Sequence, residues 1–488
     1  MLRPTFAFVA ATAFASATNV AAQQSTAPLP SQLTLPAAIE YAKQHGARAR
    51  AARFNLESAR ENFRAFSARQ KPQAFLSGDV PSYNRLIIPA PQPDGSVEFR
   101  PQQQTNSSLN LFISQGVPIT GGSVSLISQL AQLRRTGAAE TWQSTPFSLN
   151  LTQPILRSNA LSWDRAEQSL GAELAERTYR EAMEDVAGST ATAFVAVYSA
   201  RETMRNATEN LRRNELLREK VQTRLRLSAV STSDARRIEL GYLQAQQSVS
   251  QATLARDEAD ANFRAALGLA ANTPFDVVLP GEPPALAPDS TQAVSIALRN
   301  RSESIQHELS DTRARRQISR ARFDGGIGAT ITASYGYNAT ALALGDVYQD
   351  LQDRQTFRLN VQMPVWQWGA GGADREAAHA ARSASTAIAQ DQRDQITRDV
   401  MFAIRRLAQA RYGFAIAMQA DTVAADALQD ALVRYDFGGV QIENLFLALT
   451  GREQAAQQRI ASIATVWNEY YRVRRVTMYD FESGRPIR

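Results

Sequence analysis

The sequence predicts a mainly α-helical chain with a smaller β portion, built from two copies of one unit that runs helix, strand, strand, long helical hairpin. Three features carry that prediction. The 488-residue chain repeats itself at a fixed offset of 210 residues, short segments in each copy alternate apolar and polar residues with period two, and the stretches after them run long without proline.

The repeat is read residue against residue. Phe147-Ser148-Leu149-Asn150 returns as Phe357-Arg358-Leu359-Asn360, Pro154 as Pro364, Asp164-Arg165 as Asp374-Arg375, Arg224 as Arg434, and Gln244-Ala245 as Gln454-Ala455. Register held over about 100 residues implies two structurally equivalent units and internal pseudo-symmetry rather than one asymmetric catalytic core.

The N-terminus reads as an export signal over residues 1–22: Arg3, an apolar and small-residue stretch, then Val20-Ala21-Ala22 before Gln23. Its apolar stretch from Phe6 to Ala17 is shorter than the roughly 20 residues a membrane-spanning helix needs. The chain has no cysteine, which excludes disulfides, a thiol nucleophile, a zinc–thiolate site and a lipidated N-terminal cysteine. Loss of Arg3 takes the formal charge from +6 to +5, and three lysines, Lys43, Lys71 and Lys220, stand beside a large excess of arginine. Arginine is scattered along helical segments, which argues against a nucleic-acid surface.

The first unit is expected over residues 31–270. A second, weaker offset of 255 residues pairs Ala38 with Ala293, Ala42 with Ala297, Ala74 with Ala329 and Leu76 with Ile331. The two offsets differ by 255 minus 210, or 45 residues, so the first unit carries an insertion of that size within about 84–144. That stretch has a loop rich in Pro, Gln and Asn, then Leu109, Leu111 and Ile113 before the turn Pro118-Ile119-Thr120-Gly121-Gly122 and Val124 and Leu126 after it. An extra β-hairpin is the economical reading.

The strand ahead of the long helix places Phe147, Leu149 and Leu151 opposite Ser148, Asn150 and Thr152. From about 159 to 227 only Gly171 and Gly188 interrupt a helical pattern, so a continuous helix would reach roughly 100 Å at about 1.5 Å per residue. Within it Ala193, Val197, Ala200, Met204, Ala207 and Leu211 form a seam of period 3.5; the counterparts 210 residues on are Ala403, Leu407, Ala410, Phe414, Ala417 and Asp421. Ala-rich seams let many helices lie side by side.

Residues 271–290 contain five prolines and read as the linker, followed by the second unit over 291–480 and a C-terminal tail, 481–488. In the second unit residues 327–337 put Ile327, Ala329, Ile331, Ala333, Tyr335 and Tyr337 on one face and small or hydroxyl residues on the other. Phe357, Leu359, Val361 and Met363 likewise oppose Arg358, Asn360 and Gln362. Such a face points into a core in a soluble sandwich and at lipid in an outer-membrane barrel, and alternation alone does not choose.

The order of elements, with LTQPILRSNA (151–160) and VQMPVWQWGAGGADREAA (361–378) leading from strand to helix and RLRLSAVSTSDARRIELG (224–241) and RYDFGGVQIENLFLAL (434–449) turning the hairpins, resembles the TolC-like outer-membrane efflux protein family over about 31–480. The resemblance implies a homotrimer in which strands from each chain form one transmembrane β-barrel and the helices a periplasmic tunnel. It further implies passive conduction as the outer-membrane part of a tripartite efflux or type I secretion system, with a periplasmic adaptor protein and an inner-membrane transporter as partners. The turns from Ser228 to Asp234 and from Gly438 to Asn444 would then form the inner aperture and meet the adaptor, with Ser228, Asp234, Tyr435, Gly438, Glu443 and Asn444 as candidate residues. Pro154, Pro364, Gly371 and Gly372 would mark the strand-to-helix joints. Asp234 and Tyr435 stand where the family often has Asp and Tyr. Ser228 replaces a common Gly, Val440 stands where some members have Arg, and Asn444 and Leu447 occupy positions that can be Asp, all of which weakens the expectation of an acidic ring. An N-cap role for Asp234 is the competing reading.

Other patterns carry less. His45, His307 and His379 lie on separate helical segments without a second histidine at helical spacing, so neither metal nor cofactor is expected. Gly369-Ala370-Gly371-Gly372 lacks the Lys-Ser/Thr of a phosphate loop, and no Ser-His-Asp grouping points to an enzyme. Tyr335, Tyr337, Trp366 and Trp368 lie near strand ends, where aromatic residues mark membrane interfaces or simply pack. The alternative of another class is a periplasmic coiled-coil scaffold that does not conduct.

Overall fold

The structure, a computed structural model, describes residues 32–135, 137–227, 230–278, 288–437 and 442–487. The export signal, much of the proline-rich linker, Ser228, Gly438 and Val440 lie outside the described residues.

Two short helices, α1 (Leu35–His45) and α2 (Ala47–Arg69), lead into four strands, β1 (Gln73–Pro91), β2 (Val97–Val117), β3 (Gly122–Arg135) and β4 (Thr141–Ile155). A long hairpin follows, α3 (Ala160–Arg226) and α4 (Thr232–Leu267). The second half opens with α5 (Ser290–Asn300) and α6 (Ser302–Asp324), has two strands, β5 (Gly328–Ala341) and β6 (Gln352–Gln362), and ends in the hairpin α7 (Ala370–Asp436) and α8 (Ile442–Thr477). A small ladder, β7 (Tyr479–Asp480) and β8 (Arg485–Pro486), folds the tail back. Helix lengths match across the halves: 11 residues for α1 and α5, 23 for α2 and α6, 67 for α3 and α7, and 36 for α4 and α8.

The halves differ in the sheet. Strands β1 to β6 form one antiparallel sheet in sequence order, and the hairpin of β2 and β3, which falls within 84–144, lies inside the sheet between β1 and β4. Near the helices the register carries straight across it, and farther out bulges at Asp79/Ser82, Ile127/Gln129 and Ser144/Phe147 shift it. One row runs Ala74, Ile113, Leu126, Leu149, Tyr335, Gln355, and the adjacent row, on the opposite face, runs Gln73, Ser114, Ser125, Asn150, Ser334, Thr356. Gly336 is required where β5 crosses β4, because a Cβ there would come within 2.4 Å of the Phe147 carbonyl oxygen.

The helices form two layers that follow the same order. Next to the sheet α2 packs on α3, α3 on α6, and α6 on α7; in the distal hairpins α4 packs on α3, α3 on α8, and α8 on α7. Between the layers α1, α3, α4, α7 and α8 enclose the main core, which includes Leu35, Phe194, Val195, Val197, Phe263, Leu267, Leu407 and Tyr470. Phe194 and Phe263 meet edge to face at 5.8 Å. The small-residue seam forecast for α3 and α7 is buried at Val197, Ala207, Ala403, Leu407 and Ala417, as side-by-side helix packing requires. Asp421, the polar residue in that seam, is answered from α8 by Arg452 and by Arg459, 3.3 Å away. Leu33 pairs in parallel with Val277, tying the start of the linker to the chain ahead of α1.

Candidate functional site

Two regions combine special geometry with exposed chemistry: the sheet and the far tip of the helical hairpins. In the sheet, strict alternation sends one set of side chains to each face. Leu76, Leu109, Leu111, Leu126, Leu149, Leu151, Tyr335, Phe357, Leu359 and Val361 share one face across all six strands, and every one is exposed. The other face carries Ser77, Asn110, Ser125, Gln129, Asn150, Ser334, Arg358 and Asn360, interrupted by the apolar row of Phe75, Phe112 and Ile127 and, farther from the helices, by Leu86, Ile88 and Leu133. Monomeric soluble proteins rarely leave so large an apolar surface open to water.

Aromatic rings lie on this face and beside it; Tyr335 and Tyr337 stand in the middle of β5 and not near its ends, where the sequence had led one to expect them, because β5 runs on to Ala341. Trp366 and Trp368 stand exposed just beyond β6 with ring centroids 5.1 Å apart, and Tyr335 and Tyr337 pack on β5 at 5.9 Å, with Phe147 against Tyr337 at 5.5 Å.

The strand-to-helix joints are anchored from below. Asn159 caps α3 by accepting from the Ser162 amide at 3.2 Å, and its own amide donates to the Pro118 carbonyl at 2.7 Å. Gln153 donates to the Thr120 carbonyl at 2.9 Å. The turn of the inserted hairpin is therefore tied to the joint that holds Pro154. At the second joint Pro364 follows the end of β6, and Gly371 lies against Gly325 so closely that a Cβ on it would sit 3.2 Å from the Gly325 Cα. Gly372 faces open space, so the backbone approach requires only the first of the pair.

At the hairpin tip α3, α4, α7 and α8 meet around Leu217, Val221, Ile238, Leu428, Ile442, Leu445 and Leu449. Tyr435 belongs to this cluster: it is 6% exposed, its hydroxyl is buried without a hydrogen-bond partner, and the Arg224 guanidinium stands 4.9 Å above its ring. Asp234 is in the first turn of α4, where the Ser231 hydroxyl accepts from the Asp234 amide at 3.1 Å and donates to its carboxylate at 2.7 Å. The N-cap of α4 is therefore Ser231 and not Asp234, which stands three residues further on as the acidic partner of the cap. Glu443 and Asn444 are exposed on the first turn of α8, and Glu443 reaches Arg237 of α4 at 3.8 Å. Arg224 and Arg237, absent from the sequence-derived set, link the two turns. The signal for Arg224 was its match with Arg434 in the repeat, which marks the turn but not its partner; Arg237, whose counterpart is Leu447, had none.

The core between the layers carries a buried ion network. Glu184, 0% exposed, accepts from Arg474 at 2.8 Å, and Arg474 also reaches Asp480 at 2.9 Å, beside the rings of Tyr470 and Tyr471. Burial opposes the Arg474 charge, but the bonds to Glu184 and Asp480 outweigh it and hold the guanidinium above its ordinary range, while burial pushes Tyr470 up to about 12. Among the described residues, no group of three or more histidines and carboxylates is placed to hold a metal ion, and no helix is long and apolar enough to cross a membrane.

No protein-family model matches the chain, and no curated protein matches it. Solved structures do. A membrane protein from Pseudomonas aeruginosa is 15% identical, with a TM-score of 0.68 over 93% of this chain and 92% of that one. The CmeC outer membrane channel of Campylobacter jejuni is 14% identical, with a TM-score of 0.66 over 91% and 85%. The open state of the MtrE outer membrane channel of Neisseria gonorrhoeae is 15% identical, with a TM-score of 0.63 over 91% and 88%. At such identities the likeness is one of architecture: the strands, paired hairpins and helical layers described above compose a fold shared with these solved outer-membrane channels.

Proposed function

We propose that this chain is the outer-membrane channel of a tripartite efflux or type I secretion system, not an enzyme, and that it conducts substrate passively from the periplasm to the exterior. The observation that carries the reading is the exposed, predominantly apolar face that spans the six-stranded sheet, backed by a predominantly polar one. Lipid outside and water inside is the arrangement that satisfies both.

Closure follows from the edges. The sheet ends in β1 and β6, the adjoining helical layer in α2 and α7, and the distal layer in α4 and α7, so each layer is open on the same two sides. An open sheet edge in hydrocarbon leaves backbone groups unpaired, so it must close. With an even number of strands β1 and β6 run in opposite directions, and joining them between copies continues the antiparallel ladder. The free-edge helices carry exposed apolar stripes at multiples of seven residues: Ile388, Phe402, Ile416 and Val423 on α7, and Leu240 and Leu254 on α4. Three copies joined head to tail form the homotrimer, with two duplicated units, 31–270 and 291–480, in each chain. The hairpin tips then form the inner aperture, where Glu443 and Asn444 face a periplasmic adaptor delivering cargo from an inner-membrane transporter, and the export signal of residues 1–22 brings the chain to the outer membrane.

Planar-bilayer recording from the purified, folded oligomer tests the reading. Stepwise conductance is expected. A folded oligomer that never conducts would favour the periplasmic scaffold instead.

A further inference from the structure

We infer that the inserted hairpin, β2 and β3, is a wall segment of the membrane barrel, so that the barrel is as wide as the helical tunnel beneath it and passes bulky cargo without narrowing. The inference rests on the channel reading and adds the dimension of its exit.

The second half of the chain shows the unit without the insertion: α6, β5, β6, α7. In the first half the helical parts keep the same lengths, while the sheet gains two strands between β1 and β4. The inserted strands meet every requirement of a wall. At 21 and 14 residues they exceed the 9–11 or so needed to cross a bilayer. They are laddered to both neighbours, over Gln73 to Pro91 on one side and Ser123 to Leu133 on the other. Their alternation is in phase with the rest, because Ile113 and Leu126 continue the apolar row while Ser114 and Ser125 continue the polar one. Their connecting turn is held at the helical joint by Asn159 and Gln153 rather than free to fold over the mouth.

Dimensions give the insertion a consequence. Strands about 4.8 Å apart, tilted about 40°, each occupy roughly 6.3 Å of circumference, so six take about 38 Å per chain and four about 25 Å. Four helices packed at about 9.5 Å also take about 38 Å per chain. In a three-chain ring the six-stranded wall has a backbone radius of about 18 Å, equal to that of the helical ring, against about 12 Å for four strands. The added hairpin removes the step between tunnel and exit. The cargo such a conduit suits is bulky or polymeric rather than a small ion, for which the narrower wall is already ample.

The absence of native cysteine permits a clean test on the full-length chain. Single cysteines replace Leu111 and Leu126 in the hairpin, and Leu149 and Leu359 outside it. Each is labelled with bimane and reconstituted with phosphatidylcholine brominated on its acyl chains. Quenching at all four sites is expected, with Asn110→Cys and Ser125→Cys unquenched and reactive toward a membrane-impermeant maleimide. Quenching at 149 and 359 but not at 111 and 126 would overturn the inference and leave the channel reading intact; no quenching at any of the four would sink both. Strand counting by electron cryo-microscopy of the assembly in nanodiscs decides the width: 18 strands, three times the six of one chain, are expected, and a 12-stranded wall with the hairpin outside it would refute the proposal.

Discussion

At the scale of single residues, the largest energies lie where charge is buried. Glu184 has no exposure, and Arg474 both neutralises it and reaches Asp480 in the small terminal ladder. Replacing Arg474 by Ala leaves Glu184 buried and uncompensated, which costs about 3–5 kcal/mol. Urea melts in detergent should show that loss for Arg474→Ala, and a second substitution, Glu184→Leu, should recover part of it. A near-wild-type melting curve for the single variant would mean the carboxylate is not buried as described. His307 offers a finer test. Burial and the positive charge of Arg393 hold it below its ordinary 6.5, with Glu303 opposing. The folded chain therefore binds the proton more weakly than the unfolded chain. Its contribution to stability is complete above about pH 6.5 and declines as the pH falls below that value. His307→Gln should flatten the fall in melting temperature between pH 7.5 and 5.5; an unchanged slope would assign it to other groups.

Among the elements, the strands are where the proposed environment makes the sharpest demand. Leu126 and Ser125 are neighbours on β3, yet one lies in the apolar row and the other in the polar row. If hydrocarbon covers the first, Leu126→Arg costs about 2–4 kcal/mol near mid-bilayer, whereas Ser125→Arg, facing water, costs little. Folding yields of the two variants in lipid vesicles should differ accordingly, and equal yields would remove the distinction between faces. At the other end of the molecule Ser231→Ala removes the α4 cap and should cost about 1 kcal/mol in thermal denaturation, with Asp234→Asn losing less because the hydroxyl remains. Much of this was legible in the sequence because period is local: alternation fixed the faces of Phe147 to Leu151 and of Phe357 to Val361, and seven-residue spacing gave the α3 and α7 seams. The strands of the insertion could be counted from turn residues around Pro118 to Gly122, but their place between β1 and β4 is a matter of long-range pairing that composition does not encode. The partners of Tyr435 and Asp421 were illegible for the same reason: Arg224, Arg452 and Arg459 approach them from other helices.

For the whole molecule, the sheet, the adjoining helices and the distal helices are each open at a first-half element on one side and a second-half element on the other. Contacts between unlike edges are heterologous, and such contacts close into rings when the rotation permits and otherwise grow into filaments. A closed ring makes a specific demand: the neighbour that supplies β6 to β1 is the same one that supplies α7 to α2. Cysteines introduced in pairs, at Leu76 on β1 with Phe357, Leu359 or Val361 on β6, and at Phe54 on α2 with Ile388 on α7, examine both layers in a chain that starts with none. Oxidation should produce, from each layer separately, a ladder of cross-linked species that stops at three chains. Combining one sheet pair with one helix pair should not extend that ladder, because both links join the same neighbours. A band larger than three chains in the combined variant would show that the layers choose different partners, and a link formed within one chain would mean that the edges meet each other instead.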